Sequence, residues 1–391
     1  MRRWKSFVAT LGAAIAIAGA TFGLTAGAFA PIAAAHGGSE VVGHVYINDN
    51  TAGVNTVAGF ARSADGALTP LPGSPFAAGG AGTGTITGSQ GSLQLADDGR
   101  YLLVADAGSN QISVLRVARD GSLSPTEDSP FASGGVEPVS IAVHHHLVYV
   151  ANTGTGGVNY TGFRLTHDGQ LVALKGSTVT LPDGSGPGDV LFNGDGSRLV
   201  GVRVNTSLID SFVVGRHGLL TAAAGSPYAA QAAGPFGSAF RPTNDEQLFV
   251  SNAHAGAGNG TISAFNDSRH GALTPIGSSP FADNQTAPCW VTITPDGRYL
   301  FTVNTGSDTL SRFAIAPDGA LTLLGSTALN GGSALRPFDI AVSPDGKYAY
   351  VVDAGLDAVS ALSVHSGDLT EISSSPFAGP TGATPFGIVV D

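Results

Sequence analysis

The sequence predicts an all-β chain folded as a seven-bladed β-propeller, closed by pairing of N- and C-terminal strands in one blade. Three observations predict it. A two-strand phrase recurs at intervals of 46 to 57 residues along most of the 391-residue chain. A second hairpin signal follows each copy, and the two ends of the repeat region are complementary halves of one copy. Four strands per repeat of roughly this length is the pattern of propeller blades.

The phrase is most complete at Pro337-Phe338-Asp339-Ile340-Ala341-Val342-Ser343-Pro344-Asp345-Gly346-Lys347-Tyr348-Ala349-Tyr350-Val351-Val352-Asp353. It returns from Pro288 to Asn304, and looser copies run from Gln90 to Asp106, Pro138 to Asn152, Pro187 to Arg203 and Pro235 to Asn252. Ile340-Ala341-Val342 is a short apolar run, as expected of a strand buried on both faces. Asp345-Gly346 is a hairpin turn, because both residues tolerate positive φ. Tyr348 to Val352 is the return strand. The second hairpins fall at Asp65-Gly66, Asp120-Gly121, Asp168-Gly169, His217-Gly218, His270-Gly271, Asp318-Gly319 and Ser366-Gly367. A leucine follows each: Leu68, Leu123, Leu171, Leu219, Leu273, Leu321 and Leu369. Many units close on Ser-Pro-aromatic, as at Pro75-Phe76 and Pro376-Phe377. The chain enters the repeats at His44 to Asp49, a second strand lacking a first. It leaves them at Pro385 to Val390, a first strand lacking a return. Joined, they complete the seventh blade and leave no central edge exposed.

Residues 1–35 read differently. Arg2, Arg3 and Lys5 precede an uncharged run rich in Ala, Gly, Ile and Leu, the pattern of a secretory signal, with Ala33-Ala34-Ala35 preferred over Ala28-Phe29-Ala30 as the cleavage site and an uncleaved membrane anchor as the alternative. Residues 36–391 are then one exported propeller domain. The formal net charge of −11 becomes about −14 without the basic leader, which argues against nucleic acid or an anionic membrane as partner. One cysteine, Cys289, excludes an internal disulfide. A closed ring of this kind is expected to be a monomer.

These blades resemble the lactonase-type seven-bladed propellers, the family of bacterial 6-phosphogluconolactonase and fungal carboxymuconate cyclase. Tyr149-Val150-Ala151-Asn152 and Phe301-Thr302-Val303-Asn304 echo the related Tyr-Val-Thr-Asn repeat. The resemblance implies a hydrolase or cyclase acting on a small lactone. It also implies histidines at blade starts and a glutamate after one strand-end asparagine. Here those places read Pro138-Val139-Ser140, Gly186-Pro187-Gly188-Asp189, Gly234-Pro235-Phe236-Gly237 and Ala253.

Other residues must therefore carry any chemistry. Phe236, Trp290, Phe338 and Phe386 begin first strands and are expected to rim an aromatic funnel at one end of the channel, where a small anionic or aromatic molecule enters. The same aromatics would equally serve to plug the channel. Arg203 departs from a column of Asn and Asp that closes every second strand. With Asp189 beside it, it is a candidate anion anchor, as is Arg336. Asp189 and Asp339 are the candidate catalytic carboxylates. Asp49, Asp106 and Asp353 offer oxygen ligands for Ca²⁺, but the shared column favours local turn bonding. His144-His145-His146 falls at a hairpin, where alternation of side chains argues for a turn filler, so no metal and no cofactor is expected. Cys289 reads as a small buried hydrophobe. Two functions remain: an exported hydrolase or cyclase for a small carboxylated or aromatic lactone, or a non-catalytic platform for a ligand or protein.

Overall fold

A computed structural model describes residues 40–332, 335–379 and 383–391, and all regular elements among them that build the sheets are strands. The secretory leader inferred for residues 1–35 lies outside the described residues. Seven antiparallel sheets, blades 1 to 7, follow in chain order; blades 2 to 7 begin at Leu93, Pro138, Pro187, Pro235, Pro288 and Pro337 with the strand nearest the axis, and blade 1 begins at Val41 with its second strand. Blade 7 is typical: Pro337–Val342, Tyr348–Asp353, Ala358–His365 and Asp368–Glu371, with the two-residue strand Phe377–Ala378 pairing the third. Blade 1 is the composite. Ile388–Val390 pairs Val41–Asn48 in the register Val45↔Val390, Tyr46↔Val389 and Ile47↔Ile388. The complementary ends thus close the ring as the repeat pattern requires.

Apolar runs fill the spaces between blades. Leu102 and Val104 pack with Tyr46, Val57 and Leu71 of blade 1. The alternating Leu103 and Ala105 pack with Ile141, Val148 and Val150 of blade 3. Both faces of the second strand are buried, which is why it reads as a continuous apolar run rather than an alternating one.

The Ser-Pro motif has a defined task. The serine hydroxyl accepts a third-strand N–H, at 2.9 Å for Ser74 from Gly59, 2.9 Å for Ser129 from Val114 and 3.0 Å for Ser375 from Ala361. Blades 3 and 6 lack the proline: in blade 3 Ser177 still accepts the Gly162 N–H at 3.0 Å, whereas in blade 6 the fourth strand, Leu321–Ala328, runs on unbroken. In blade 4 the counterpart of the leucine that follows each second hairpin is Leu220 rather than Leu219. Leu219 is 36% exposed, and Leu220 packs in the core, paired with Val214 as Leu123 is with Val117.

Neighbouring blades are clasped at the second hairpins. Tyr46, Tyr149 and Tyr350 donate hydroxyl hydrogen bonds to the carbonyls of Gly121, Gly218 and Gly66 of the following blade, at 2.8, 2.7 and 3.0 Å. Gly66 has φ +85°, and a Cβ there would lie 2.3 Å from the Tyr348 ring, so left-handed backbone and interblade contact both demand glycine.

Ring closure predicts a sharp loss of stability on truncation. Ile388 is buried, and full burial of such a side chain contributes roughly 1.5–3 kcal/mol. A chain ending before Thr384 also frees the inner edge of Val41–Asn48. It should aggregate or melt without cooperativity in calorimetry and size-exclusion chromatography. An unchanged melting temperature would refute the closed ring.

Candidate functional site

The connection between blades 1 and 2, residues 78–92, is much longer than its counterparts, and it enters the channel. Gln90 ties three blades together. Its N–H donates to Gly188 O (3.0 Å) and its Nε2 to Ser238 O (2.9 Å), while its Oε1 accepts from Val291 N (2.9 Å). Ser89 Oγ donates to Val139 O at 2.8 Å, and Trp290 Nε1 donates to Ser89 O at 2.7 Å. Trp290 lies between Phe236 and Phe338, with ring centroids 5.1 and 5.0 Å away. Phe236, Trp290, Phe338 and Phe386 are all buried.

The expected open aromatic funnel is therefore corrected to a plug. Aromatic faces turned toward an axis gain by being covered, and a strap of sufficient length covers them. The sign in the sequence was the 57-residue spacing from Asp49 to Asp106, the longest in the chain.

Below the strap lies a cavity of about 540 Å³. Its wall runs from Gln90, Ser238 and Asp339 to Arg241, Pro242 and Val390, at the hairpin end of the first strands. The usable space is thus on the opposite side of the strap from the expected funnel. Asp339 is on its wall. Its carboxylate accepts from the N–H groups of Ile340 (2.9 Å) and Ile388 (3.3 Å). Burial pushes its pKa up to about 8, and the charge of Asp189 adds to the rise.

Asp189 sits behind Ser238. It accepts from Ser238 N (2.9 Å), Ser238 Oγ (2.6 Å) and Ser140 Oγ (3.2 Å), and burial pushes it up to about 7 against those bonds. Among the described residues neither carboxylate has a cationic partner. The fold brings these two sequence-predicted acids within electrostatic reach of each other. It does not bring the arginines to them.

Arg203 is paired with Asp210, not Asp189. Its Nε and Nη2 donate to the two Asp210 oxygens at 2.7 and 2.5 Å, and Tyr160 Oη donates to the same carboxylate at 3.0 Å. The reason is a shared geometry of the strand-end column. The column side chain reaches outward to the third strand seven residues on: Asp49 to Thr56, Asp106 to Ser113, Asn152 to Asn159, Asn304 to Ser311 and Asp353 to Ser360. Arg203–Asp210 is the charged version of that clasp. The column's role is strand-to-strand bonding rather than the turn bonding expected. Arg336 is exposed, has φ +49°, and makes no ion pair among the described residues, but it lies outside the cavity wall.

Cys289 is buried, and burial pushes its thiol up to about 12, so it is no nucleophile. His144 ends a strand, whereas His145-His146 form a two-residue loop closed by the His144↔Leu147 pair. Strand alternation therefore does not govern His145. Sequence reasoning missed Arg241, which lines the far end of the cavity. Its guanidinium donates only to neutral oxygens, those of Gly297, Gln247, Ile315 and Ala316. Its sign was available: it fills a slot held by Thr294 and Ser343 in the next two blades.

A closed seven-bladed propeller with an axial cavity is the class that fold and site define. The family described as lactonase, 7-bladed beta-propeller matches residues 229–385, which hold blades 5 to 7. No curated protein sequence matches the chain. Among solved structures, a candidate 6-phosphogluconolactonase of Bacteroides uniformis is similar at TM-score 0.72 and 19% identity, covering 90% of this chain and 100% of that one. The periplasmic gluconolactonase of Pseudomonas aeruginosa is similar at TM-score 0.71 and 17% identity, covering 89% and 98%. A Lactobacillus plantarum protein is similar at TM-score 0.69 and 19% identity, covering 89% and 99%. The resemblance to lactonase-type propellers holds, and at these identities the solved structures speak for the fold.

Two stability predictions follow from the buried charges. Arg203→Ala strands Asp210, which is buried, and should cost about 3 kcal/mol in urea unfolding. Replacing both residues with neutral partners should recover part of that loss. Recovery of nothing would disprove the clasp. The second concerns pH. Asp189 and Asp339 hold protons in the native state up to about 7 and about 8, against about 3.9 when unfolded. The native state thus binds more protons between those values, so their contribution is fully present below about pH 4 and lost as pH rises toward 8. Melting temperatures should be several degrees higher at pH 5.5 than at pH 8.5, and Asp339→Asn should shrink that difference.

Proposed function

We propose that this chain is an exported lactonase-like hydrolase that opens a small carboxylated lactone in the axial cavity, with Asp339 as general base. One observation carries the reading. Asp339 stands on the wall of a cavity of ligand size without a cationic partner, its pKa raised to about 8. A carboxylate so desolvated is a stronger base than an ordinary one. It takes a proton from water as the water oxygen bonds to the lactone carbonyl carbon. The carbonyl electron pair moves onto oxygen. Collapse breaks the ring C–O bond, and the proton returns from Asp339 to the departing alkoxide. Ring closure is the same path reversed.

The remaining wall suits that substrate. Gln94 and Thr292 present side-chain donors that are uncommitted among the described residues, suited to a developing oxyanion. Arg241 supplies positive potential for a substrate carboxylate in an otherwise acidic protein. Asp189 is a positioning residue that holds Ser238 and raises Asp339. Export is supported by the basic, then apolar, first 35 residues, and by the likeness to a gluconolactonase described as periplasmic.

The plug over the aromatic face favours a second reading, a non-catalytic platform with a sealed channel. A panel of carboxylated and aromatic lactones separates them. Hydrolysis should rise with pH through about 8 as Asp339 ionises, and Asp339→Asn should lower kcat by about a hundredfold or more and flatten the profile. Arg241→Gln should raise KM for carboxylated substrates only. If no lactone is opened, the platform reading stands and the hydrolase falls.

A further inference from the structure

A second chemical constellation lies at the blade 2–blade 3 boundary, away from the cavity. The hairpin of blade 3 turns on His145-His146, and His145 adopts φ +52°, in the left-handed region. This brings the His145 ring back to 4.3 Å from that of His144, at 54°. Asp97, on the corresponding hairpin of blade 2, faces both. Its Oδ2 accepts the His145 N–H at 2.7 Å and lies 3.2 Å from His145 Nδ1. One ligand atom from each of Asp97, His144 and His145 falls within 4.8 Å of the others.

We propose that Asp97, His144 and His145 form a binding site for one divalent transition ion of the Zn²⁺ class. The donor set selects the metal. Two imidazoles and one carboxylate suit zinc and its borderline neighbours, whereas Ca²⁺ and Mg²⁺ require oxygen ligands throughout. At metal–ligand distances of about 2.0–2.2 Å, tetrahedral ligand atoms stand about 3.3 Å apart. The His145–Asp97 separation already meets that figure, and the remaining closure is a side-chain adjustment on two hairpins.

His144 is the anchored member. It is half-buried, with its ring 6.0 Å from Phe192 and against Gly196. His145 and Asp97 are 74% and 42% exposed at their side chains, which leaves the other coordination positions to water. Those positions adjoin a cavity of about 330 Å³ lined by Asp97, Arg100, Tyr101, His145 and Thr166. Asp98, next along the hairpin, is committed to Arg100 through N (3.0 Å) and Nε (2.6 Å), so it does not compete. The negative net charge of the chain favours a cation at such a site.

An ion held here joins two blades, so binding and folding are linked. The test uses the full chain without appended histidines. Zn²⁺ titrated by calorimetry should bind at one ion per chain, and saturating Zn²⁺ should raise the melting temperature by several degrees. His144→Ala and Asp97→Asn should each weaken binding at least about tenfold. His145→Asn keeps a residue that tolerates the left-handed turn while removing the ligand, and should do the same with the apo melting temperature unchanged. His254→Ala, on a remote loop, should change nothing. Absence of saturable binding at one ion per chain would overturn the proposal, as would affinity unchanged in both His145→Asn and His144→Ala.

Discussion

Everything in this molecule depends on the three-residue pairing of Ile388–Val390 with Val45–Ile47. The pairing is small, but it converts a row of sheets into a ring and a row of inner edges into a channel. It is reinforced at both ends. Phe386 N–H donates to Asn48 O at 3.0 Å, and Asp391 N–H donates to His44 O at 3.0 Å. Arg62 Nη2 donates to Asp391 O at 2.9 Å. The same strand forms part of the cavity wall and supplies the Ile388 N–H to Asp339. Closure of the fold and construction of the candidate site are therefore one event.

Inside the ring, polarity is decided by depth. Exposed turn aspartates such as Asp120 and Asp168 accept hydrogen bonds from neighbouring hydroxyls and N–H groups and are held below the ordinary carboxylate range. Aspartates on first strands point to the axis, where burial outweighs the same kind of bonding. Asp189 and Asp339 differ because their donors differ. Asp189 collects two serine hydroxyls and a backbone N–H, whereas Asp339 has backbone N–H groups alone. The less satisfied of the two is the one on the cavity wall. Such an arrangement costs stability and is the kind that proton chemistry uses.

Repetition also explains which residues are not about function. The strand-end column looks chemically rich because it holds Asp49, Asp106, Arg203 and Asp353. Each is occupied by a third-strand partner seven residues on, so the column is a set of clasps. The Ser-Pro motif and the interblade tyrosines are devices of the same sort, each satisfying a polar group that the packed blades would otherwise bury alone.

The sequence by itself determined the class, the blade count and the closing partners. Each of these is a periodic property, and periodicity is local: an apolar run buried on both faces, an Asp-Gly turn and a fixed spacing can be read without knowing what lies across the ring. It also marked Asp189 and Asp339 as first-strand residues, and hence axial. Only the tertiary structure decided which residues from different blades meet. Arg203 turned outward to Asp210 because its strand end faces the third strand, not the channel. The long connection after blade 1 folded Gln90 over Trp290, sealing one end and leaving the cavity at the other. His145 left the alternation of its strand because a two-residue loop put it in left-handed backbone beside Asp97. Contacts across blades depend on the path of a loop and on the sign of one dihedral angle, and neither is written in the period of a repeat.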